Sequence, residues 1–378
     1  MIDSLDIKGF RNLADLRIDS LSRVNLITGK NNTGKSTLLE AISLYATKCD
    51  MGIILQLLEE RGEITRINSN IKNVSDYNIK ALSSLFTDRI IDFNNSHTVT
   101  IGTLEKTLFG DQIILENSIS IQFVKYFYET ISSDEEPIKR RKRTIIDDRL
   151  ADLYGEYEYG IEIRVGKNSI IHPLNSDILF KRISFKEIGG TDNVQFIRTR
   201  NIDREINGAL WDAIALTVKE QYVIDALKII EPLVERVAFV EKDARSRSAV
   251  IKLSNSDSRY PIRSMGDGIN RILTIILALV NAENGFLLID EFENGLHYST
   301  QEKLWEIIFS LANRLNVQIF ATTHSGDCIA GFERVLNVPQ NKIDGKLIRL
   351  DNSNGSIKQV VFSNDELKTI IDQNIEIR

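Results

Sequence analysis

The spacing of apolar residues divides this chain into three stretches. In the first, Leu5 to Phe10 has the length and pattern of a short strand entering a turn at Gly9. Val24 to Thr28 (VNLIT) is a continuous apolar run of strand length, as expected of a strand buried on both faces. A Gly/Asn-rich segment, Gly29 to Lys35, follows it, and Ser36 to Ala46 then carries Leu38, Leu39, Ile42 and Tyr45 at helical spacing. Residues 24–46 therefore predict strand, loop, helix.

The second stretch runs from about 48 to 235. Residues 53–92 have mostly helical spacing. Residues 97–127 and 157–171 alternate apolar with polar (HTVTI, QIILENSISIQFV, YGIEIRV) and predict strands. Between them, Asp134 to Asp148 holds the basic run Lys139–Arg143 (KRRKR) and predicts a solvated loop. Residues 205–240 return to helical spacing. In the third stretch Ser248–Leu253, Gly285–Asp290, Val317–Thr322 and Lys346–Leu350 predict strands. Gly268–Asn281 and Gln301–Leu315 predict helices between them. Strands alternating with helices imply a mostly parallel sheet. The expectation is an α/β core made of 1–47 and 245–378, divided by a mixed α+β insertion at 48–244.

Composition narrows this little. Apolar residues at 42% and charged residues at 26% of 378 positions suit a soluble globular protein. A net charge of −6 argues against a wholly basic nucleic-acid binder, although a local patch can still hold a phosphate backbone. Cys49 and Cys328 have no metal or redox spacing. The N-terminus has no apolar core of a signal peptide, and Ile272–Val280 is about half the length of a membrane span. The expectation is a cytoplasmic protein with no membrane partner.

Candidate chemistry changes the picture more. Gly29-Lys30-Asn31-Asn32-Thr33-Gly34-Lys35-Ser36 fits G-x-x-x-x-G-K-[ST]. Glycines there turn backbone amides inward around phosphate oxygens, and the next helix directs its positive end at the same charge. Lys35 is placed to reach the β and γ phosphates of ATP, and the Ser36 hydroxyl to hold Mg²⁺, with Thr37 following in the helix. Phe286–Glu291 (FLLIDE) is an apolar strand ending in two acids. Asp290 is the second candidate for Mg²⁺, and Glu291 the candidate base toward an attacking water. Ile319–Ser325 (IFATTHS) ends in His324, which at a strand's C-terminal end can meet the γ-phosphate or that water. A lone histidine is more often structural, and position is what favours a role here. Arg263–Gly268 (RSMGDG) precedes a helix, and Ser264, Gly266 and Gly268 together read as a second anion site. One ATP does not need two such loops in one subunit, so this one is expected to cap the nucleotide of another copy. A plain N-cap by Asp267 or Ser264 is the alternative.

These segments together resemble the ABC-type ATPase domain of the SMC, RecF and OLD group, and especially the AAA_15/AAA_21-type ATPases of bacteria and phage defence. IKGFRNL…VNLITGKNNTGKSTLLEAI and SMGDGINRILTIILALVNAENGFLLIDEFENGLH…VQIFATTHS carry the likeness, over roughly half the chain. The resemblance implies a P-loop NTPase fold with an ATP-sandwiched homodimer or higher oligomer. It implies that SMGDG contacts ATP from the opposite subunit, that Glu293–His297 follows the catalytic Glu291 as a D-loop, and that His324 is a switch histidine. Arg11, in the GFRN turn, resembles an arginine near bound nucleotide. The signature departs from the transporter form at Met265 and Asp267, which disfavours a transporter subunit. No secure Q-loop is found, and Gln195 is only a weak candidate for one. The 54 residues after His324 leave no room for a TOPRIM nuclease domain, and the insertion lacks the heptads of a long coiled-coil arm. What the resemblance implies is an Mg²⁺-dependent ATPase switch controlling a separate effector, such as a nuclease or toxin, in phage defence. The rival expectation is a RecF-like repair ATPase clamping DNA directly, for which Lys139–Arg143 would be a contact.

Overall fold

The structure, a computed structural model, describes residues 1–64, 73–107, 110–133, 136–147, 156–176, 193–199, 204–243, 246–338 and 344–373. Strand β1 (Leu5–Phe10) turns through Arg11 and Asn12 into β2 (Leu13–Ile18). The turn thus falls just after Gly9, whose φ of +69° lies inside the strand. β3 (Val24–Thr28) leads into α1 (Lys35–Ala46), and α2 (Met51–Glu60) and α3 (Val74–Ser83) follow. Next come β4 (Asn94–Thr107), β5 (Gly110–Ser133), β6 (Glu136–Ile146), β7 (Glu158–Val165), β8 (Asn168–Pro173) and β9 (Val194–Ile197).

After them lie α4 (Arg204–Asp212), α5 (Val218–Ile230), β10 (Val234–Asp243), β11 (Ser246–Leu253) and β12 (Arg259–Pro261). The last third holds α6 (Asp267–Asn281), β13 (Phe286–Ile289), α7 (Tyr298–Arg314), β14 (Gln318–Thr322) and α8 (Gly326–Leu336). It ends with β15 (Gly345–Ser353), β16 (Ser356–Val361) and α9 (Asn364–Asp372).

The core sheet has the order β16-β15-β3-β14-β13-β9. Every pair from β15 to β9 is parallel, and only β16 runs against its neighbour. β3, β13 and β14 are buried at every position, which is why their sequences read as unbroken apolar runs. A second sheet, wholly antiparallel, has the order β2-β1-β4-β5-β7-β8, with β6 paired to β5. Helix α1 lies between the two sheets and buries every residue except Ser36. Its Leu38, Leu39 and Ile42 share a core with Ile7, Ile101 and Ile121 on one side and Phe320 and Ile348 on the other. The opposite face of the core sheet packs on α6, α7 and α8 through residues such as Ile276, Trp305 and Phe332. The segment 48–244 enters both sheets, because β4 pairs with β1 and β9 pairs with β13.

Two expectations from spacing are corrected. Residues 234–240 are strand, not helix. Their pairing with β11 carries a register shift between Val234 and Arg236, so the buried Val234 and Val237 stand three apart and imitate a helical period. Lys139–Arg143 lies on β6, not in a loop. Arg141 stands opposite Thr130, Lys142 opposite Glu129 and Arg143 opposite Tyr128. The charges lie on a strand with one described neighbour, where like charge discourages pairing with another chain. Among the described residues no helix is long and apolar enough to cross a membrane.

Candidate functional site

The site forms where β3, β14 and β13 end, which is where open parallel sheets leave a crevice. The loop after β3 folds as its glycines allow. Gly29 has φ +145°, and a Cβ on it would stand 2.4 Å from the Leu350 carbonyl oxygen. Gly34 has φ +84°, and a Cβ there would meet Leu13 at 2.7 Å. At Gly29 a side chain would need backbone movement, and at Gly34 it would press on the Leu13 side chain in a left-handed conformation that strains any residue but glycine. Gly34 caps α1 with no side-chain hydrogen bond, so the first amides of the helix stay free for an anion. The Lys35 ammonium curls back to donate to the carbonyls of Gly29 and Lys30, both at 2.8 Å. Burial holds its pKa below the ordinary lysine value, against the pull of Asp290, Glu293 and Glu291. Thr33 braces the loop on Lys30 O at 2.8 Å, while Asn31 and Asn32 are exposed.

The ends of β13 and β14 are tied to each other and to this loop. Ser36 Oγ donates to Asp290 Oδ1 at 3.0 Å, and Thr322 Oγ1 donates to the same oxygen at 2.7 Å. The Glu291 amide donates to Thr322 Oγ1 at 2.9 Å, which fixes Glu291 at φ +50°. Below the turn Arg271 of α6 is fully buried, and its Nη2 reaches the carbonyls of Asp290 at 3.2 Å and Glu291 at 3.4 Å. Glu293 accepts from Thr323 Oγ1 at 2.8 Å and from the His324 amide at 2.7 Å, so it holds the histidine segment in place.

A cavity of about 930 Å³ brings together Arg11, Asn31, Gly34, Lys35, Ser36 and His324. A second, of about 1320 Å³, shares Ser36 and adds Asp290 and Glu291. Arg11, in left-handed backbone at φ 50°, pairs with Glu40 and Glu63, each at 3.0 Å. Thr37 is buried and takes a 3.3 Å bond from Arg61. Ser264, Gly266 and Gly268 line neither cavity. Ser264 and Gly266 are exposed at the start of α6, and Ser264 Oγ donates to the Pro261 carbonyl at 2.7 Å, so it does not cap the helix. Gln195 also stays out of both cavities; it sits within β9 beside Leu287. Sequence reading missed Arg198, Arg271 and Thr322. A threonine ending a buried strand and an arginine within an apolar helix were the available signals.

The oxygens fit Mg²⁺. Ser36 and Asp290 are hard donors in mutual contact beside an open cavity, and this ion commonly takes one or two protein oxygens and completes its shell with water and phosphate. Among the described residues no cluster of three or more acids, histidines or cysteines offers an all-protein metal cage.

Comparison with known proteins adds four findings. Residues 24–327 match the AAA_21 family model, described as "AAA domain, putative AbiEii toxin, Type IV TA system". An "ATP/GTP phosphatase" of Helicobacter pylori is 24% identical over 343 residues, covering 89% of this chain and 88% of the relative. A "DNA replication and repair protein RecF" of Acholeplasma laidlawii is 23% identical over 234 residues, covering 54% of this chain and 64% of the relative. Among solved structures, an SmcHead bound to the C-winged helix domain of ScpA aligns with a TM-score of 0.49 at 13% identity, over 98% of this chain and 99% of that one.

Proposed function

We propose that this chain, which belongs to the AAA_21 family of SMC- and RecF-like ABC-type ATPases, is a molecular switch that closes as a dimer around ATP and opens on hydrolysis. The observation that carries this reading is the contact of Ser36 with Asp290, beside Glu291, at the mouth of a phosphate-shaped loop. In this reading Lys35 and the first amides of α1 hold the phosphates. Ser36 and Asp290 hold Mg²⁺, which when bound neutralises charge on the phosphates. Glu291 takes a proton from the attacking water, and His324 faces the same phosphate from β14. Arg11 lies at the nucleotide's side of the loop. Ser264, Gly266 and Gly268 cap the ATP of the opposite copy, consistent with the exposure of Ser264 and Gly266 and with their distance in sequence from the loop.

The switch reports to a separate effector, such as a nuclease or toxin, in phage defence, and operates in the cytoplasm. The name of the Helicobacter relative supports triphosphate hydrolysis, and the wording of the family description supports a toxin-linked role. Glu291→Gln tests the core of this reading. With ATP and Mg²⁺ the variant should sediment as a dimer and turn over about 10²–10⁴-fold more slowly than the parent. A variant that stays monomeric at saturating ATP overturns it. For the effector, a product of a neighbouring gene should co-purify from the native host with ATP and not with ADP.

A second reading, direct clamping of DNA, is favoured by the exposed Arg141, Lys142 and Arg143 on β6 and by the RecF relative. Its mark would be binding that weakens steeply with salt, by about 0.9 log units per neutralised phosphate for each tenfold rise in concentration.

A further inference from the structure

The edge strand of the core sheet delivers a cation to the reaction centre. β9 runs parallel to β13 with Ile197 opposite Ile289. The Asp290 amide donates to the Ile197 carbonyl at 2.8 Å, so the chain leaves β9 at the level of Asp290 and Glu291. The next residue is Arg198. Its guanidinium lies over the Phe196 ring, 4.0 Å from the centroid, and pairs with Glu60 of α2. Its Nε is buried and has no hydrogen-bond partner among the described residues. Arg198 lines the same cavity of about 1320 Å³ as Ser36, Asp290 and Glu291. Burial depresses its pKa, and the attraction of Glu40 and Asp290 works the other way.

Resting on the hydrolytic reading above, we propose that Arg198 is a catalytic residue that leaves Glu60 and engages the terminal phosphate during hydrolysis. In that step the oxygen of water bonds to the γ-phosphorus and its proton passes to Glu291. The bond from that phosphorus to the β–γ bridging oxygen breaks, and its electron pair leaves on ADP. Negative charge is spread over three equatorial oxygens of the phosphoryl group at the transition state. Lys35 meets it from the β3 side, and Ser36 and Asp290 would hold between them the Mg²⁺ that offsets it. Arg198 meets it from the β9 side, with a planar fork that matches two phosphate oxygens. Glu60 is the resting anion. It keeps the guanidinium charge paired in a partly buried place until a more highly charged partner arrives. The contact with the Phe196 ring holds the guanidinium beside the cavity that Asp290 and Glu291 line.

Removing a preorganised donor to developing charge typically costs about 10²–10³-fold in turnover. The full chain and its Arg198→Ala, Arg198→Lys and Glu60→Gln variants are compared for ATP affinity, single-turnover rate and trapping by ADP with vanadate. Arg198→Ala should lose about 10²-fold in rate and most vanadate trapping, with ATP affinity within about threefold of the parent. Glu60→Gln removes only the resting partner and should turn over at the parental rate or faster. A purely structural Arg198–Glu60 tie predicts equal losses in both variants, and that result overturns the proposal. So does an Arg198→Ala variant with parental turnover. Should the alanine variant fail to fold, Arg198→Lys decides. It retains the charge without the fork and should lose about tenfold in rate, and parental turnover in it overturns the assignment. A parent chain that binds ATP without turnover would sink the hydrolytic reading itself, and this assignment with it.

Discussion

At the scale of single residues, the site turns on how its buried charges are partnered. Among the described residues, the buried Lys35 ammonium has two backbone carbonyls as its hydrogen-bond partners. An ammonium so placed gains most when phosphate oxygens replace those carbonyls. Lys35→Ala should therefore weaken ATP binding by at least about tenfold, about 1.4 kcal/mol. Calorimetric titration with ATP and Mg²⁺ measures it, and unchanged affinity would contradict the phosphate-loop assignment. His172 gives a prediction of another kind. Burial, with Arg143 nearby, pushes its pKa down to about 4 from 6.5, so it is neutral when folded and charged when unfolded in between. A depressed folded pKa contributes stability that is complete above about pH 6.5 and is lost as pH falls toward 4. The loss for one such group is up to about 3 kcal/mol. Chemical denaturation from pH 7 to pH 4 should show a shallower fall for His172→Gln than for the parent, and identical slopes would show that His172 does not contribute.

At the scale of elements, the chain was most legible where a motif coincides with a buried parallel strand. β3, β13 and β14 are short apolar runs ending in chemistry, and both signals agree. Less legible were places where backbone irregularity disguises the period, as at the bulge in β10, or where charge masks a strand, as at Lys139–Arg143 on β6. Arg198 was invisible for a different reason. Its place depends on β9 joining the core sheet beside β13, from the middle of a segment that spacing set apart as an insertion. The element that steadies the turn after β13 was also hidden. Phe292, next to Glu291, lies flat on Trp305 of α7, with centroids 4.0 Å apart and planes 6° apart. Both rings are fully buried, and Trp305 also meets Phe309 and Phe332 edge-on. Trp305→Ala should cost about 3–5 kcal/mol in unfolding free energy. Trp305→Phe keeps a stacking ring and leaves no indole N–H to satisfy, so it should cost much less. Denaturant midpoints of the two variants test this, and equal losses would mean that the stack is not what holds the turn.

At the scale of the whole molecule, the question is whether one copy contains a complete site. The two cavities gather Arg11, Lys35, Ser36, Asp290, Glu291 and His324 in one subunit. The loop at Ser264 lies elsewhere, exposed, with Gly266 at φ +104° and open space where a side chain would be. It opens a helix of fifteen residues whose Arg271 reaches the carbonyls of Asp290 and Glu291. An anion bound at the start of α6 would thus be linked, through that helix and Arg271, to the turn at Asp290 and Glu291 of the same copy. Under the dimer proposal that anion is the partner's ATP, and each site is built from both chains. Ser264→Arg should then block closure by overlap while leaving ATP binding through Lys35 intact. Alone, Ser264→Arg and Lys35→Ala should both be inactive. Mixed, they form some dimers in which one shared site carries both defects and the other carries neither. At equal concentrations with random pairing, about half the dimers are of this kind, and each has one sound site of two. Roughly a quarter of parental activity should return. Mixed dimers verified by differential tagging, with no activity at any ratio, would mean that ATP is held and cleaved within a single subunit.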